Sequence, residues 1–175
     1  MHRPIAISRL CVALATCLIT AISAGAQTRS GRPASDSSRI VSILAGLDSA
    51  WHDGDADRWV AHYAPGPDFV DFINISGTRM SDPATLRTRL AQIFSGIFRG
   101  SRHVGTLRHL RFLDADAAIA DEDIEITGFT GLPAGISPTE PGVLRTRMRH
   151  VLTRRRGAWL IVASQNTAVA PAIKP

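Results

Sequence analysis

The sequence predicts an α+β fold: three N-terminal helices packed against a strongly curved, mostly antiparallel sheet of about six strands, shaped as a cone-like barrel. Three observations predict it. Apolar residues recur at 4-3-4 spacing in two early segments. Later segments alternate polar and apolar residues, as half-buried strands do. Helical patterns come first and strand patterns follow, an order that gathers helices on one face of an antiparallel sheet.

Residues 1–26 read as a secretory signal. Arg3 and Arg9 give a basic start, residues 10–22 form an apolar run, and Ala24-Gly25-Ala26 supplies a small-x-small site before Gln27. The run is short against roughly 30 Å of hydrocarbon, so export without stable membrane insertion is expected. Both cysteines, Cys11 and Cys17, fall in this segment. A cleaved chain then has no disulfide, thiolate nucleophile or zinc–thiolate site. Removing Arg3 and Arg9 leaves 18 basic against 15 acidic residues. The arginines are dispersed rather than gathered on one face with aromatics, which argues against nucleic-acid binding.

Residues 27–37 form a polar leader, 38–168 the folded domain and 169–175 a loose tail. Asp36 or Ser37 is suited to cap the first helix, whose stripe is Ile40, Leu44, Leu47 and Trp51. Asp53-Gly54-Asp55 places a stop and a start back to back: Gly54 as the glycine that ends one helix, Asp55 as the N-cap of a short helix through Tyr63. His52 and His62 lie on different helices, and nothing sets them on one metal. Residues 68–74 and 78–80 read as two short strands around Ser76-Gly77. Asp82-Pro83 opens a third helix with the stripe Leu86, Leu90, Ile93 and Ile97. Residues 103–113, 117–128, 143–155 and 158–167 read as long strands, with a proline- and glycine-rich loop over 129–142 and a hairpin turn at Arg156-Gly157.

Alternation assigns the faces. Asp121, Asp123 and Glu125 share one side of their strand, and Arg145, Arg147 and Arg149 share one side of the next. Paired antiparallel, they make three cross-strand ion pairs and mark an outer face. Arginine neutralisation and poor chelation from alternate positions argue against metal, and no metal or cofactor is expected. The inner face takes Ala118, Ala120, Glu122, Ile124, Ile126, Leu144, Thr146, Met148, His150 and Leu152. A two-residue turn adds Trp159, Ile161, Ala163 and Gln165. Glu122, His150 and Gln165 interrupt this apolar surface. They are either polar groups that satisfy one another or the convergent groups of a pocket. Glu122 and His150 lie diagonally on adjacent strands, either as a general acid/base pair or as a structural pair. Tyr63, Asn74 and Gln165 are candidate ligand-orienting residues.

Several stretches resemble the SgcJ/EcaC family of the SnoaL-like, nuclear-transport-factor-2-like superfamily. They are Ala50-Trp51-x-x-Gly54-Asp55-Ala56-Asp57, Phe69-Val70, Gly77-Thr78-Arg79, Ile97-Phe98-Arg99-Gly100-Ser101, Arg111-Phe112-Leu113, Ala117-Ala118 and Gly157-Ala158-Trp159-x-Ile161-Val162-Ala163-x-Gln165-Asn166-Thr167. The resemblance covers roughly residues 39–170. It implies a cone with a cavity at its open end and a homodimer through the outer sheet face. Superfamily relatives include cyclases, isomerases, dehydratases and non-catalytic binders, and the family is often labelled oxidoreductase. This chain has no flavin, nicotinamide or haem fingerprint that supports a redox role. The expected partner is an apolar or amphipathic small molecule, with proton transfer by His150 and Glu122 as the chemistry. The competing expectation is an interaction module whose cone is filled by its own side chains. A cavity below roughly 300 Å³ favours the latter.

Overall fold

The computed structural model describes residues 34–170. The signal segment and residues 171–175 of the tail lie outside them.

Helix α1 (Ala34–Asp53) begins before the expected cap. Asp36 instead sits buried in its first turn, 3.3 Å from Arg154 and 3.6 Å from Arg39. The stripe Ile40, Leu44, Leu47 and Trp51 is buried as its spacing dictates. Gly54 then takes a positive φ of 65°, and Asp55 accepts a hydrogen bond from Arg58 N at 2.9 Å to start α2 (Ala56–Val60). This helix is shorter than expected. Tyr63 has already left it and pairs with Ile161 in an isolated parallel bridge. A single 3-10 turn (Gly66–Asp68) leads to β1 (Asp71–Ile73) and β2 (Arg79–Met80). Asp82 caps α3 (Pro83–Ser95), which buries Leu86, Leu90 and Phe94. Ile93 and Ile97 from the expected stripe are only partly buried.

The four long strands are β3 (Arg102–Phe112), β4 (Ala117–Thr127), β5 (Val143–Arg155) and β6 (Ala158–Ala168). The sheet order is β2-β1-β6-β5-β4-β3, with β1 parallel to β6 and every other pair antiparallel. β2 and β3 are opposite edges, so the cone is an open curved sheet and not a closed barrel.

Register confirms the assignment of faces on β4 and β5. Asp121 stands opposite Arg149, Asp123 opposite Arg147 and Glu125 opposite Arg145. The ion pairs measure 2.6, 3.5 and 3.2 Å. At such exposed positions each contributes about 0.2–1 kcal/mol. On the other side Ala118, Ala120, Ile124, Leu144, Met148 and Leu152 pack against Leu44, Leu47, Trp59 and Leu86 in one core.

Strand β6 departs from strict alternation. Leu152 pairs with Ile161, but Val151 pairs with Ala163, so the register slips by one between them. One extra residue reverses the side chains beyond it. Trp159 and Ile161 face inward as expected, whereas past the bulge Ser164 is the buried residue and Gln165 is exposed.

Candidate functional site

Asp48 lies on the flank of the α1 stripe, four residues after Leu44 and three before Trp51, where its carboxylate overhangs the start of β3. Nδ1 of His103 is 2.6 Å from Asp48 Oδ1, and the backbone N–H of Gly105 donates to both Asp48 oxygens at 3.1 Å. His103 is 6% exposed, while the Asp48 side chain keeps 30%. The imidazole stacks on Trp51 at 4.7 Å and 29°, and meets Trp59 edge-on at 5.7 Å. Trp51 is itself fixed: its indole N–H donates to Ser101 Oγ at 2.9 Å, and Ser101 donates to Phe98 O at 2.8 Å. With Nδ1–H given to a carboxylate, the neutral ring presents its lone pair at Nε2. No hydrogen-bond partner stands at Nε2 among the described residues.

His103 lines a small, partly open cavity between α3, the sheet and the 129–142 loop. Its walls are apolar, from Trp51, Trp59, Leu90, Ile93, Ile126 and Met148, with Asn74, Ser76, Arg89 and Pro133 contributing from the other side. The cavity holds about 70 Å³. A cavity of about 150 Å³ admits benzene, so in this conformation the cone is largely filled. Trp59 Nε1, in its wall, is a buried donor without a hydrogen-bond partner. A larger concavity, about 710 Å³, lies elsewhere, over the outer sheet face among Arg108, Asp121, Asp123, Arg147 and Arg149. Those charges already pair with one another.

A second polar group is buried deeper. His150 is fully buried, with Nε2 3.2 Å from Glu122 Oε2 and Nδ1 2.7 Å from Ser164 Oγ. Ser164 Oγ is in turn 2.9 Å from the Tyr63 hydroxyl. One assignment satisfies every member: Tyr63 donates to Ser164, Ser164 to His150 Nδ1, and His150 Nε2–H to the Glu122 carboxylate. Burial raises the Tyr63 pKa, opposed by the hydrogen bond to Ser164. Glu122 also reaches toward the dyad. A Cβ built on Gly105 would lie 2.7 Å from Glu122 Oε1 and 3.4 Å from Asp48 Oδ1. The missing side chain therefore makes the space in which the two carboxylates converge.

No family model matches the sequence, and no curated protein does. Solved structures do match. A nuclear-transport-factor-2-like protein of unknown function from Shewanella oneidensis MR-1 aligns with a TM-score of 0.62 at 13% identity, over 75% of this chain and 98% of that one. The chain has the nuclear-transport-factor-2-like fold. Two further structures share it. A putative scytalone dehydratase from Novosphingobium aromaticivorans DSM 12444 gives 0.63 at 10% identity, over 81% and 95% of the two chains. A type 2 hexachlorocyclohexane dehydrochlorinase, LinA, gives 0.61 at 15%, over 81% and 94%.

Within this nuclear-transport-factor-2-like cone the sequence-derived candidates separate. Glu122 and His150 come together as alternation predicted, but both imidazole nitrogens are occupied and neither residue lines the cavity. Tyr63 joins their chain instead of reaching the cavity. Asn74 does line the cavity, with its Oδ1 taken by Ser76 N and Thr78 N at 3.0 and 2.9 Å in the turn before β2. Gln165 is a correction: the β6 bulge turns it to the outer face, and Ser164 takes the inward place. Sequence reading missed Asp48 and His103. Their signals were faint: an acid on the edge of an apolar helical stripe, and a histidine in phase with Gly105 and Leu107 at the start of a strand. They stand 55 positions apart, and nothing between them joins them.

Proposed function

We propose that this chain is a cofactor-independent proton-transfer enzyme of the elimination type, acting on a compact apolar or amphipathic molecule in the cone. The observation that carries the reading is the 2.6 Å Asp48–His103 contact, with Nε2 unpartnered in a residue that lines the apolar cavity. Nε2 takes a proton from a substrate carbon, the C–H electron pair becomes a C=C bond, and a leaving group departs from the adjacent carbon with its own pair. Asp48 fixes the tautomer and stabilises the imidazolium that forms. The surrounding apolar wall keeps that interaction strong by excluding water. The names of two structural neighbours, a dehydratase and a dehydrochlorinase, denote eliminations, which is the chemistry this dyad suits. In this reading Glu122, His150, Ser164 and Tyr63 are the buried support of the wall against which the dyad rests.

The basic start, apolar run and Ala24-Gly25-Ala26 site support export. The rows of paired charges on the outer face suit a polar homodimer contact. Membership of the SgcJ/EcaC family rests on the stretches quoted above.

The test is deuterium incorporation at acidic C–H positions of a panel of small β-hydroxy and β-chloro compounds in D₂O, followed by NMR, together with release of water or chloride. His103→Gln should lower the rate by about 10²–10⁴-fold. Equal rates in wild type and His103→Gln would remove the dyad from the chemistry.

One observation favours a second reading. The cavity, about 70 Å³, is below the roughly 300 Å³ of ordinary ligand sites. A non-catalytic dimeric module with a filled cone accounts for that volume without any opening. Exchange absent across the whole panel, with a dimer in light scattering, would favour it.

A further inference from the structure

The rim of the cavity has a charge of one sign. Arg89 on α3 lines it beside Asn74 and Ser76, and no carboxylate does. Two residues earlier, Arg87 is committed to Asp57. Arg89 has no acidic partner among the described residues; its side chain makes one weak hydrogen bond, Nη1 to Gln92 Oε1 at 3.4 Å. The oxygen of Asn74 is used by its own turn, which leaves its Nδ2–H groups as donors. The rim therefore offers a guanidinium, a carboxamide N–H₂ and a hydroxyl. The wall below is largely apolar, broken by Trp59 Nε1, by Asn166 and by the base that lies within it.

Such a rim suits a ligand with a planar anionic head and an apolar body. A guanidinium matches a carboxylate through two parallel N–H···O bonds, and such charge-assisted bonds are about twice as strong as neutral ones. They strengthen further where a low-dielectric wall replaces water on one side.

We propose that the ligand of this cone is an amphipathic carboxylate, with Arg89 binding the carboxylate at the rim and the body entering against Trp51, Trp59 and Ile93 as the cavity widens from its 70 Å³. Asn74 and Ser76 supply the remaining donors. The proposal rests on the reading of the cone as a ligand site, and it names the ligand class that reading leaves open.

The experiment uses trans-cinnamate and its neutral analogue trans-cinnamamide, titrated into the protein while the indole N–H signals of Trp51 and Trp59 are followed by NMR. In wild type cinnamate should bind about tenfold or more tightly than the amide. Arg89→Gln should erase that preference, and Arg89→Lys should retain part of it. Arg89 is exposed, so neither change threatens folding. Equal affinity for acid and amide in wild type, or a preference that survives Arg89→Gln, overturns the assignment and leaves the cavity reading standing. Indole signals moved by neither probe overturn both.

Discussion

Nδ1 of His103 lies 2.6 Å from Oδ1 of Asp48, bridging the first helix and the first long strand. The Gly105 N–H completes the carboxylate's cradle from the same strand. The site is thus one helix face laid against one strand end. Its precision comes from core packing around Trp51 and not from any local loop.

The first prediction concerns the acid of the dyad. Asp48→Asn keeps shape and hydrogen-bonding capacity but removes the charge that stabilises imidazolium. It also permits the wrong ring tautomer. Deuterium incorporation should fall by about 10²–10⁴-fold, with the fold intact by circular dichroism. A fall of less than about threefold would show that Asp48 only props the ring.

Gly105 provides the second. A methyl group there would meet Glu122 Oε1 at 2.7 Å. Glu122 must then shift, which loosens its contact with His150, while Asp48 stays at an ordinary 3.4 Å. Gly105→Ala should cost about 1–3 kcal/mol in urea unfolding, as overpacked sites do. Wild-type stability in the variant would mean that the two carboxylates have room to spare.

Access to the cavity gives the third. The 129–142 loop contributes Pro133 to the wall, and Thr130 N donates to Ile97 O at 2.9 Å. A Cβ on Gly131 would stand 3.9 Å from Ile97 Cβ, close to the ~3.8 Å mean of disulfides. Oxidised Gly131→Cys/Ile97→Cys should therefore pin the loop. If entry requires that loop to move, the pinned protein should bind trans-cinnamate about tenfold more weakly, and reduction with dithiothreitol should restore binding. Identical affinity before and after reduction would place the entrance elsewhere.

The buried tyrosine gives a prediction in pH. Burial raises the folded pKa of Tyr63 above its unfolded value of about 10. At high pH the unfolded chain then binds fewer protons than the folded one, so its phenol favours unfolding. This contribution to stability is complete below about pH 10 and is lost as pH rises toward the folded value. Urea midpoints measured from pH 8 upward should decline more steeply in wild type than in Tyr63→Phe. Parallel declines would assign alkaline unfolding to other groups.

The fold was legible wherever one periodicity held over a whole element. The 4-3-4 stripe of α1, the Asp53-Gly54-Asp55 junction and the alternation of β4 and β5 each depend on neighbours in sequence. Glu122, His150 and the Asp121–Arg149 row could be placed from that alternation alone. Gln165 could not. A single bulge between Val151 and Leu152 on one strand and Ile161 on the next reverses every side chain after it, and no residue type announces it.

By itself, then, the sequence determined the elements, the inner and outer faces of β4 and β5, and the pairing of Glu122 with His150. Helix and strand periodicities are local and are enforced by burial. Tertiary structure alone decided that Asp48 meets His103, that Gly105 makes room for two carboxylates, that Ser164 replaces Gln165, and that Arg89 stands at the rim. Those relations depend on how α1 and α3 cross a curved sheet, and on where its register slips. Such geometry is set by the packing of the whole core.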